Sequence, residues 1–233
     1  MLVLILVSCV GTVGNILILG ALLVHKQLRS LGNVFVGNLA VCDLYVSLII
    51  CPQTMVGVFH GDLILKYQLV CEILAHLGHL TLSSSFLSIT AIAVNRYVAI
   101  CHRNLYLKIY NRTLISFHLT IFWAYCLTFS TLHFFRFTYG LGVFNTKTYA
   151  CSPSSLGQSM NVYLAYFIYF LIGIICIPFL LIFISYCKIY LYVKKSKRRL
   201  MKFSSQQQPA IKSTDVRLLK SILIILLAFN VLW

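Results

Sequence analysis

Long apolar stretches recur along the whole chain and are separated by shorter polar stretches. None of them shows a sustained alternation of polar and apolar residues, the pattern of transmembrane β-strands, so each predicts a helix. Five of the six reach the ~20 residues that a helix needs to cross the hydrocarbon core of a bilayer. The six segments cover residues 2–24, 34–59, 67–100, 114–135, 163–193 and 218–233.

The sixth segment is the exception, because it has only 16 residues. It runs to the last residue of the sequence without a cap or a polar flank. We therefore expect that the sequence is cut inside its sixth helix. The pattern as a whole predicts an all-α membrane protein with a single transmembrane domain over residues 1–233.

Composition supports a membrane protein and argues against other classes. Sixty per cent of the residues are hydrophobic, 10% are charged and the mean hydropathy is +0.91, whereas a soluble domain carries roughly twice that charged fraction. The sequence has only four Asp and Glu residues and no paired carboxylates, phosphate-binding loop or nucleophile motif, so we do not expect an enzyme. A transporter or channel would need polar residues on several helices, whereas Asp43 is the only acid in the core of a span.

Positive charge is distributed unevenly between the two sides of the membrane. If the loops after segments one, three and five share a side, 16 of the 19 Lys and Arg residues fall there. The positive-inside rule makes that side cytosolic and predicts an extracellular N-terminus. The basic loop 194–217 carries much of this charge, and beside a membrane span we expect it to contact anionic lipid of the bilayer rather than nucleic acid.

Two of the nine cysteines lie on the predicted extracellular side. Cys71 stands near the start of the third span, and Cys151 stands in the long loop before the fifth. Because disulfides persist in an oxidising environment, we expect a Cys71–Cys151 bridge that holds this loop over the helices. The alternative is two unpaired loop cysteines.

The third span also carries an arginine at its inner end. Arg96 follows Cys71 by 25 residues, roughly 37 Å of helix at ~1.5 Å per residue, so one helix joins the two membrane faces. Charged groups at such depth are costly and tend to mark a function.

Several short motifs follow one another in an order typical of one receptor family. They are Gly14-Asn15, Leu39-Ala40-Val41-Cys42-Asp43, Cys71, Asn95-Arg96-Tyr97, Trp123, Pro178 with Tyr186, and Phe229 with Trp233. On these residues the chain resembles class A (rhodopsin-like) G-protein-coupled receptors over its whole length. The resemblance implies a seven-transmembrane helix bundle in the plasma membrane, of which six spans are present. It also implies a small extracellular ligand and a heterotrimeric G protein as partners.

Within that family the chain is most similar to melatonin receptors. The similarity rests on Leu28-Arg29-Ser30-Leu31-Gly32-Asn33, Asn95-Arg96-Tyr97, Ile100-Cys101-His102 and Tyr149-Ala150-Cys151. It suggests a G protein of the inhibitory class. Three ligand-contacting positions of melatonin receptors fall at or near Ile174, Phe134 and Ser155, and all three residue types are replaced here. We therefore do not expect melatonin itself as the ligand.

Asp43 is expected to bind a cation or to be protonated. A lone carboxylate inside a span must be neutral, paired or bound to a cation, and Asn15 and Ser85 could reach it. The resemblance implies a sodium site in which Asp43 and Ser85 take part, with no other metal and no organic cofactor. The alternative is a protonated Asp43 within a hydrogen-bond network.

Arg96 is the expected activation switch. Because the preceding Asn95 is neutral, Asp215 at the inner end of the sixth span is a plausible partner that would hold helices three and six together in an inactive state. The alternative is a solvent-exposed Asp215 without effect. The resemblance adds further switch residues, which are Tyr97, Tyr186, Pro178, Phe86, Phe229 and Trp233.

The expected ligand pocket is poor in charged groups. Biogenic-amine receptors carry an Asp seven residues after the outer cysteine of the third span, and Gly78 stands there in this chain. A largely apolar, neutral or weakly acidic ligand is therefore favoured. The expected pocket residues are Gly78, His79, Leu82, Ser83, Phe170, Ile174 and Trp233.

Together these features predict a receptor that binds an extracellular, non-aminergic ligand and activates a heterotrimeric G protein through the cytosolic ends of helices three, five and six. Arg96, Ile100 and Leu105 are the expected contacts with the G protein. Two alternatives stay open. One is a truncated, non-signalling receptor fragment that acts as a dominant-negative partner, and the other is an opsin-like or peptide receptor of the same class.

Overall fold

The computed structural model describes residues 1–134, 142–153, 164, 167–168 and 170–203. Over these residues the backbone is almost entirely helical, which confirms the predicted all-α class. The helices are α1 (Leu2–Val24), α2 (Val34–Tyr45), α3 (Cys51–Lys66), α4 (Gln68–Cys101), α5 (Arg103–Ile109), α6 (Arg112–Phe134) and α7 (Ile177–Phe203). The chain divides into two compact units, Met1–Tyr186 and Cys187–Trp233.

Four helical stretches of the described residues are long and apolar enough to cross a membrane. They are Leu2–Val24, Leu31–Gly61, Gln68–Cys101 and Leu171–Ser196. The predicted fourth span, 114–135, coincides closely with the more polar α6, in which Ser116 and Thr120 donate hydrogen bonds to backbone carbonyls one turn earlier. Asn111 caps this helix, because its Oδ1 accepts a hydrogen bond from the Leu114 amide at 2.9 Å. The predicted sixth span lies outside the described residues.

Two prolines explain where the second and fifth spans depart from a regular α-helix. A proline lacks an N–H group and its ring clashes with the carbonyl four residues earlier. Those carbonyls belong to Leu48 for Pro52 and to Ile174 for Pro178. Each lies in a π-helical turn, over Val46–Ile50 in one case and Leu171–Cys176 in the other. The wider turn takes up the clash, so both spans continue past their proline.

Helix α4 packs against several of the other helices. It contacts α2, α5 and α6, and its buried face is built largely from small side chains, among them the fully buried Ser83, Ser84, Ser85 and Ser88. Small residues let two membrane helices approach closely. Because the two helices lie close together, Asn38 on α2 reaches α4. Its Nδ2 donates hydrogen bonds to Ser84 Oγ at 2.9 Å and to Ser88 Oγ at 2.8 Å.

Helix α1 is joined to the second span through Ser47, in the π turn. Ser8 Oγ donates a hydrogen bond to the Ser47 carbonyl at 2.7 Å, and Thr12 Oγ1 donates to Ser47 Oγ at 3.2 Å. These polar contacts face the bundle interior, where hydroxyl groups find protein partners rather than lipid. Most of the remaining surface of α1 is exposed and apolar, as expected for a helix in contact with lipid.

A two-stranded antiparallel hairpin lies against α3 and α4. Its strands are β1 (Gly142–Asn145) and β2 (Ala150–Pro153), with Phe144 opposite Cys151. The connecting turn is held by Asn145, whose Oδ1 accepts a hydrogen bond from the Lys147 amide at 2.8 Å, and it ends at Tyr149 with a positive φ of 55°. Cys151 is bonded to Cys71 at the start of α4, which confirms the predicted disulfide.

The described part of the second unit, residues 187–203, is helical throughout. Helix α7 therefore ends at Phe203, ten residues beyond the predicted end of the fifth span, and includes the first part of the predicted basic loop 194–217. Lysine and arginine are good helix formers, and positive charge near a helix C-terminus is favourable. Lys194 Nζ lies 5.7 Å from the centroid of the Tyr190 ring, one turn away on the same helix face.

The hairpin requires a glycine at position 57. A Cβ atom there would collide with the Tyr149 carbonyl oxygen and would lie 2.9 Å from the Phe144 ring. We predict that Gly57→Ala lowers the free energy of unfolding by about 1–3 kcal/mol, the usual cost of forcing atoms into a packed site. Thermal unfolding of the purified protein measures this change.

Gly20→Ala in α1 is the matched control, because a Cβ at Gly20 meets nothing within 4 Å. It should be neutral, or stabilising by up to about 1 kcal/mol, since alanine favours a helix over glycine. Equal behaviour of the two variants would contradict the described seating of the hairpin.

Candidate functional site

The inner end of α4 places Arg96 against the segment that leads into α2. Arg96 Nη2 donates a hydrogen bond to Asn33 Oδ1 at 3.3 Å. Asn33 is itself held by a hydrogen bond from its Nδ2 to the Leu28 carbonyl at 2.8 Å. Asp215, the predicted partner of Arg96, lies outside the described residues, so the predicted pair stays a prediction. The partner of Arg96 that the structure shows is a neutral amide on a neighbouring element.

Asn95 is enclosed by Gly32 and Tyr110, and the sequence analysis predicted neither contact. Its side chain is only 3% exposed, and a Cβ atom at Gly32 would collide with its amide, so glycine is required for this approach. On another side the Tyr110 hydroxyl interacts with the Asn95 side chain. Burial raises the pKa of Tyr110, so its hydroxyl stays protonated and able to donate. A charged Asp at this enclosed position would lose its hydration, which a neutral Asn avoids.

The short helix α5 adds exposed apolar groups beside this charged end. Leu105, a predicted G-protein contact, is 45% exposed, and Leu107 is 62% exposed. Tyr106 and Tyr110 stack with ring centroids 4.7 Å apart, which stiffens the connection into α6. The face thus combines a cation with exposed leucines, a composition suited to docking another protein.

The remaining predicted switch residues near Arg96 lie on α4 and α7. The Tyr97 hydroxyl lies 3.0 Å from His102 Nε2, and the two rings are arranged edge to face at 5.3 Å. Ile100, one turn beyond Arg96, is half-buried. Tyr186 lies within electrostatic range of Arg96. Two further predicted switch residues, Phe229 and Trp233, lie outside the described residues.

Asp43 and Ser85 come together at the middle of the bundle. The Ser85 hydroxyl is near enough to interact with the Asp43 carboxyl group. Among the described residues, however, neither Asp43 Oδ1 nor Ser85 Oγ, both buried, has a hydrogen-bond partner. Asn15, the third predicted member, donates its side-chain amide to the Gly11 carbonyl of its own helix at 2.9 Å. Two buried oxygen atoms without partners point to a bound water or ion, and oxygen is the ligand that hard cations prefer.

The predicted ligand pocket is built around Ile174 and Phe170. Ile174 is fully buried, with Phe86, Tyr125 and Phe170 packed against it. The ring of His79 meets Phe170 edge to face, with centroids 5.6 Å apart. These residues give the region a predominantly apolar wall that carries an imidazole group.

The other predicted pocket residues contribute little polarity. Ser83 is fully buried, and its hydroxyl has no hydrogen-bond partner within the described part of the chain. Gly78 faces the second span, because a Cβ there would lie 3.6 Å from Ile50. Leu82 is half-buried on α4. Within the described residues no three His, Cys, Asp or Glu side chains group closely enough to hold a metal ion.

A link between α4 and α6 borders this region, and the sequence analysis missed it. Ser130 Oγ donates a hydrogen bond to the His76 carbonyl at 3.0 Å, and His76 Nδ1 lies 3.1 Å from the Ser130 carbonyl. The pair fixes the rotation of α4 one turn before His79. The sequence shows only a histidine in one span and a serine in another. These two residues alone do not predict that they form a hydrogen-bonded pair.

Comparison with known proteins gives a family match and several curated relatives. The family model described as "7 transmembrane receptor (rhodopsin family)" matches residues 14–233. Melatonin receptor type 1B of Homo sapiens is 28% identical over 231 residues, which cover 99% of this chain and 60% of that protein. Melatonin receptor type 1C of Gallus gallus is 28% identical over 234 residues, 99% of this chain and 63% of that protein.

Melatonin receptor type 1A of Gallus gallus is also 28% identical, over 99% of this chain and 62% of the relative. The chain therefore spans about three fifths of the length of these curated relatives. These matches confirm the resemblance drawn from the motifs, both to the receptor class and to melatonin receptors.

Proposed function

Since this chain belongs to the rhodopsin family of seven-transmembrane receptors, we propose that it forms the membrane core of a G-protein-coupled receptor. Its ligand is extracellular, small and non-aminergic, and its partner is a heterotrimeric G protein of the inhibitory class. The observation that carries the proposal is Arg96, which lies at the inner end of the 34-residue α4 and, among the described residues, is bonded to the neutral side chain of Asn33. The charge distribution along the chain supports an extracellular N-terminus, which puts Arg96 at the cytosolic face.

In this proposal the contact between Arg96 and Asn33 is one half of a two-state element. At 3.3 Å it lies at the long end of hydrogen-bond distances, and Asn33 is uncharged, so little free energy is needed to break it. Release of the guanidinium group opens the inner end of α4 to the G protein, and Tyr186, which lies within electrostatic range of Arg96, is its proposed partner in the released state. Asp215 remains the proposed second partner in the inactive state. The exposed Leu105 and the half-buried Ile100 are the proposed apolar contacts.

The ligand is proposed to be largely apolar and either neutral or weakly acidic. Support comes from Ile174, which is fully buried within an aromatic cluster, and from Gly78, which offers no anionic anchor for an amine. The names of the relatives make melatonin the first compound to test. His79 is the proposed polar contact, because its ring already packs against Phe170.

We also propose a sodium site at Asp43 and Ser85, with Asn15 as a further candidate ligand. The two buried oxygen atoms without partners fit a small cation, which would supply the positive charge that an ionised Asp43 requires there. Bound sodium would hold α2 and α4 in one arrangement and so favour one receptor state.

Removal of the Arg96 partner should raise basal signalling. If the Asn33 hydrogen bond contributes about 0.5–1.5 kcal/mol to the inactive state, Asn33→Ala should increase ligand-free G-protein activation by about two- to tenfold. Resonance energy transfer between the subunits of inhibitory G proteins, normalised to surface expression, measures this change.

Asn33→Asp is the matched control. It keeps the acceptor and adds an ion pair with Arg96, so basal signalling should fall below that of the unmodified receptor. A rise in both variants, or no change in Asn33→Ala at equal surface expression, would show that the contact does not restrain the receptor.

The sodium site predicts a cation-specific gain in stability. The thermal unfolding temperature of the purified receptor should be higher in sodium chloride than in choline chloride at equal ionic strength, because a cation that binds only the folded state stabilises it. Asp43→Asn should abolish the difference, and Glu72→Gln, which removes a carboxylate from the outer end of α4, should preserve it. The proposal fails if Asp43→Asn keeps the full sodium effect.

A further inference from the structure

A cavity of about 570 Å³ lies between α4, α6 and residues 173–181, and we call it the outer groove. Its wall on α4 extends from Leu87 to Val98, 11 positions apart, which is roughly 16 Å of helix at ~1.5 Å per residue. The volume is that of an ordinary ligand pocket, for which roughly 300–1,000 Å³ is usual. The outer groove shares Tyr125 with the cluster around Ile174, but neither Ile174 nor Phe170 lines it, so the outer groove is a different site.

The outer groove opens toward lipid. Three of its lining residues, Ile121 on α6 and Ile177 and Leu181 on α7, are 51%, 50% and 42% exposed. Exposed apolar side chains on membrane-spanning helices contact the acyl chains of the bilayer rather than water. The deeper wall is apolar as well and includes the Phe122 ring. An occupant therefore enters sideways from the membrane and is apolar along most of its length.

One end of the outer groove has a different chemistry. Its lining residues there are Tyr110, which lies between α5 and α6, and His118, which lies within α6. Burial raises the pKa of Tyr110, so its hydroxyl remains a neutral donor. Two exposed basic residues, Lys108 and Arg112, flank Tyr110 at two positions on either side. No acidic residue is found among the described residues that line the outer groove, so the electrostatic potential at this end favours a negatively charged group.

We propose that the outer groove binds one acyl chain of an anionic phospholipid, whose head group lies at the end formed by Tyr110 and His118. The phosphate accepts hydrogen bonds from these two side chains and interacts with the positive field of Lys108 and Arg112. The second acyl chain stays in the bilayer, which the open side of the groove permits. By the charge distribution this end faces the cytosol, and the cytoplasmic leaflet is the one that carries anionic lipids.

The inference requires only that the protein lies in a membrane, and it does not depend on G-protein coupling. It is tested by native mass spectrometry of the purified receptor titrated with phosphatidylglycerol or with phosphatidylcholine of identical acyl chains. Phosphatidylglycerol should bind at least about tenfold more tightly. Equal binding of the two lipids would overturn the proposal. It would also be overturned if the purified receptor retained cholesterol or free oleate in place of phosphatidylglycerol.

Two pairs of variants locate the bound lipid. Ala91→Phe fills the outer groove and should weaken phosphatidylglycerol binding about tenfold, whereas Leu17→Phe on the exposed face of α1 should leave it unchanged. His118→Leu should lower the preference for phosphatidylglycerol, because it removes one of the two proposed hydrogen-bond donors to the phosphate. His25→Leu, an exposed histidine at the same predicted membrane face, should keep it.

His118 is exposed, so its replacement decides the question even if Ala91→Phe does not fold. Unchanged lipid preference in His118→Leu would show that the head group does not lie at this end. Unchanged affinity in a folded Ala91→Phe receptor would show that the acyl chain does not occupy the outer groove.

Discussion

The structure depends on one constraint: a polar group inside a membrane needs a partner, which is another group of the protein or a bound water or ion. Helix α4 is where this constraint has the most consequences, because its buried face is a run of serines rather than large apolar residues. Asn38 satisfies two of these hydroxyls from α2 and so fixes both the distance and the rotation of the two helices. The same close approach brings Asp43 beside Ser85. The central polar site is therefore a consequence of how α2 and α4 pack.

The two ends of α4 are fixed by different kinds of bond. At one end the disulfide from Cys71 ties the helix covalently to the hairpin. At the other end Arg96 donates a long hydrogen bond to Asn33, the partner found among the described residues. The covalent bond at Cys71 keeps the end of α4 near the proposed ligand pocket in place. The weak hydrogen bond at Arg96 can break, as the proposed change of partner at that end requires. The neutral Asn95 fits the same account, since an acid beside Arg96 would hold it more strongly.

Sequence reasoning succeeded where a single residue or a run carries the signal. The approximate extent of the helices α1 and α4 follows from apolar length, and the disulfide follows from two cysteines on one predicted side. Asp43 and Arg96 stand out because charge inside a span is costly. Even so, their partners could not all be named, because a contact such as Arg96 with Asn33 joins positions 63 residues apart and depends on helix rotation.

Other features lacked any distinctive signal in the sequence. Asn38, Tyr110 and Ser130 are common residue types at unremarkable positions, and each matters only through the neighbour that packing gives it. The prolines could be expected to interrupt their helices. The π-helical turns that accommodate them could not be predicted, because they depend on how far the surrounding span can unwind. The extension of α7 to Phe203 was missed because a basic run was read as a loop, although lysine and arginine favour helices.

The most direct test of this account is a double-mutant cycle across the α2–α4 contact. The free energies of unfolding of Asn38→Ala, Ser88→Ala and the double variant are measured in the same detergent or bicelle. The account predicts a coupling energy of about 0.6–1.7 kcal/mol, the range of hydrogen bonds between membrane helices. Effects that add to within about 0.3 kcal/mol would show that the two side chains act independently. The polar contact between α2 and α4 would then not be what positions the central site.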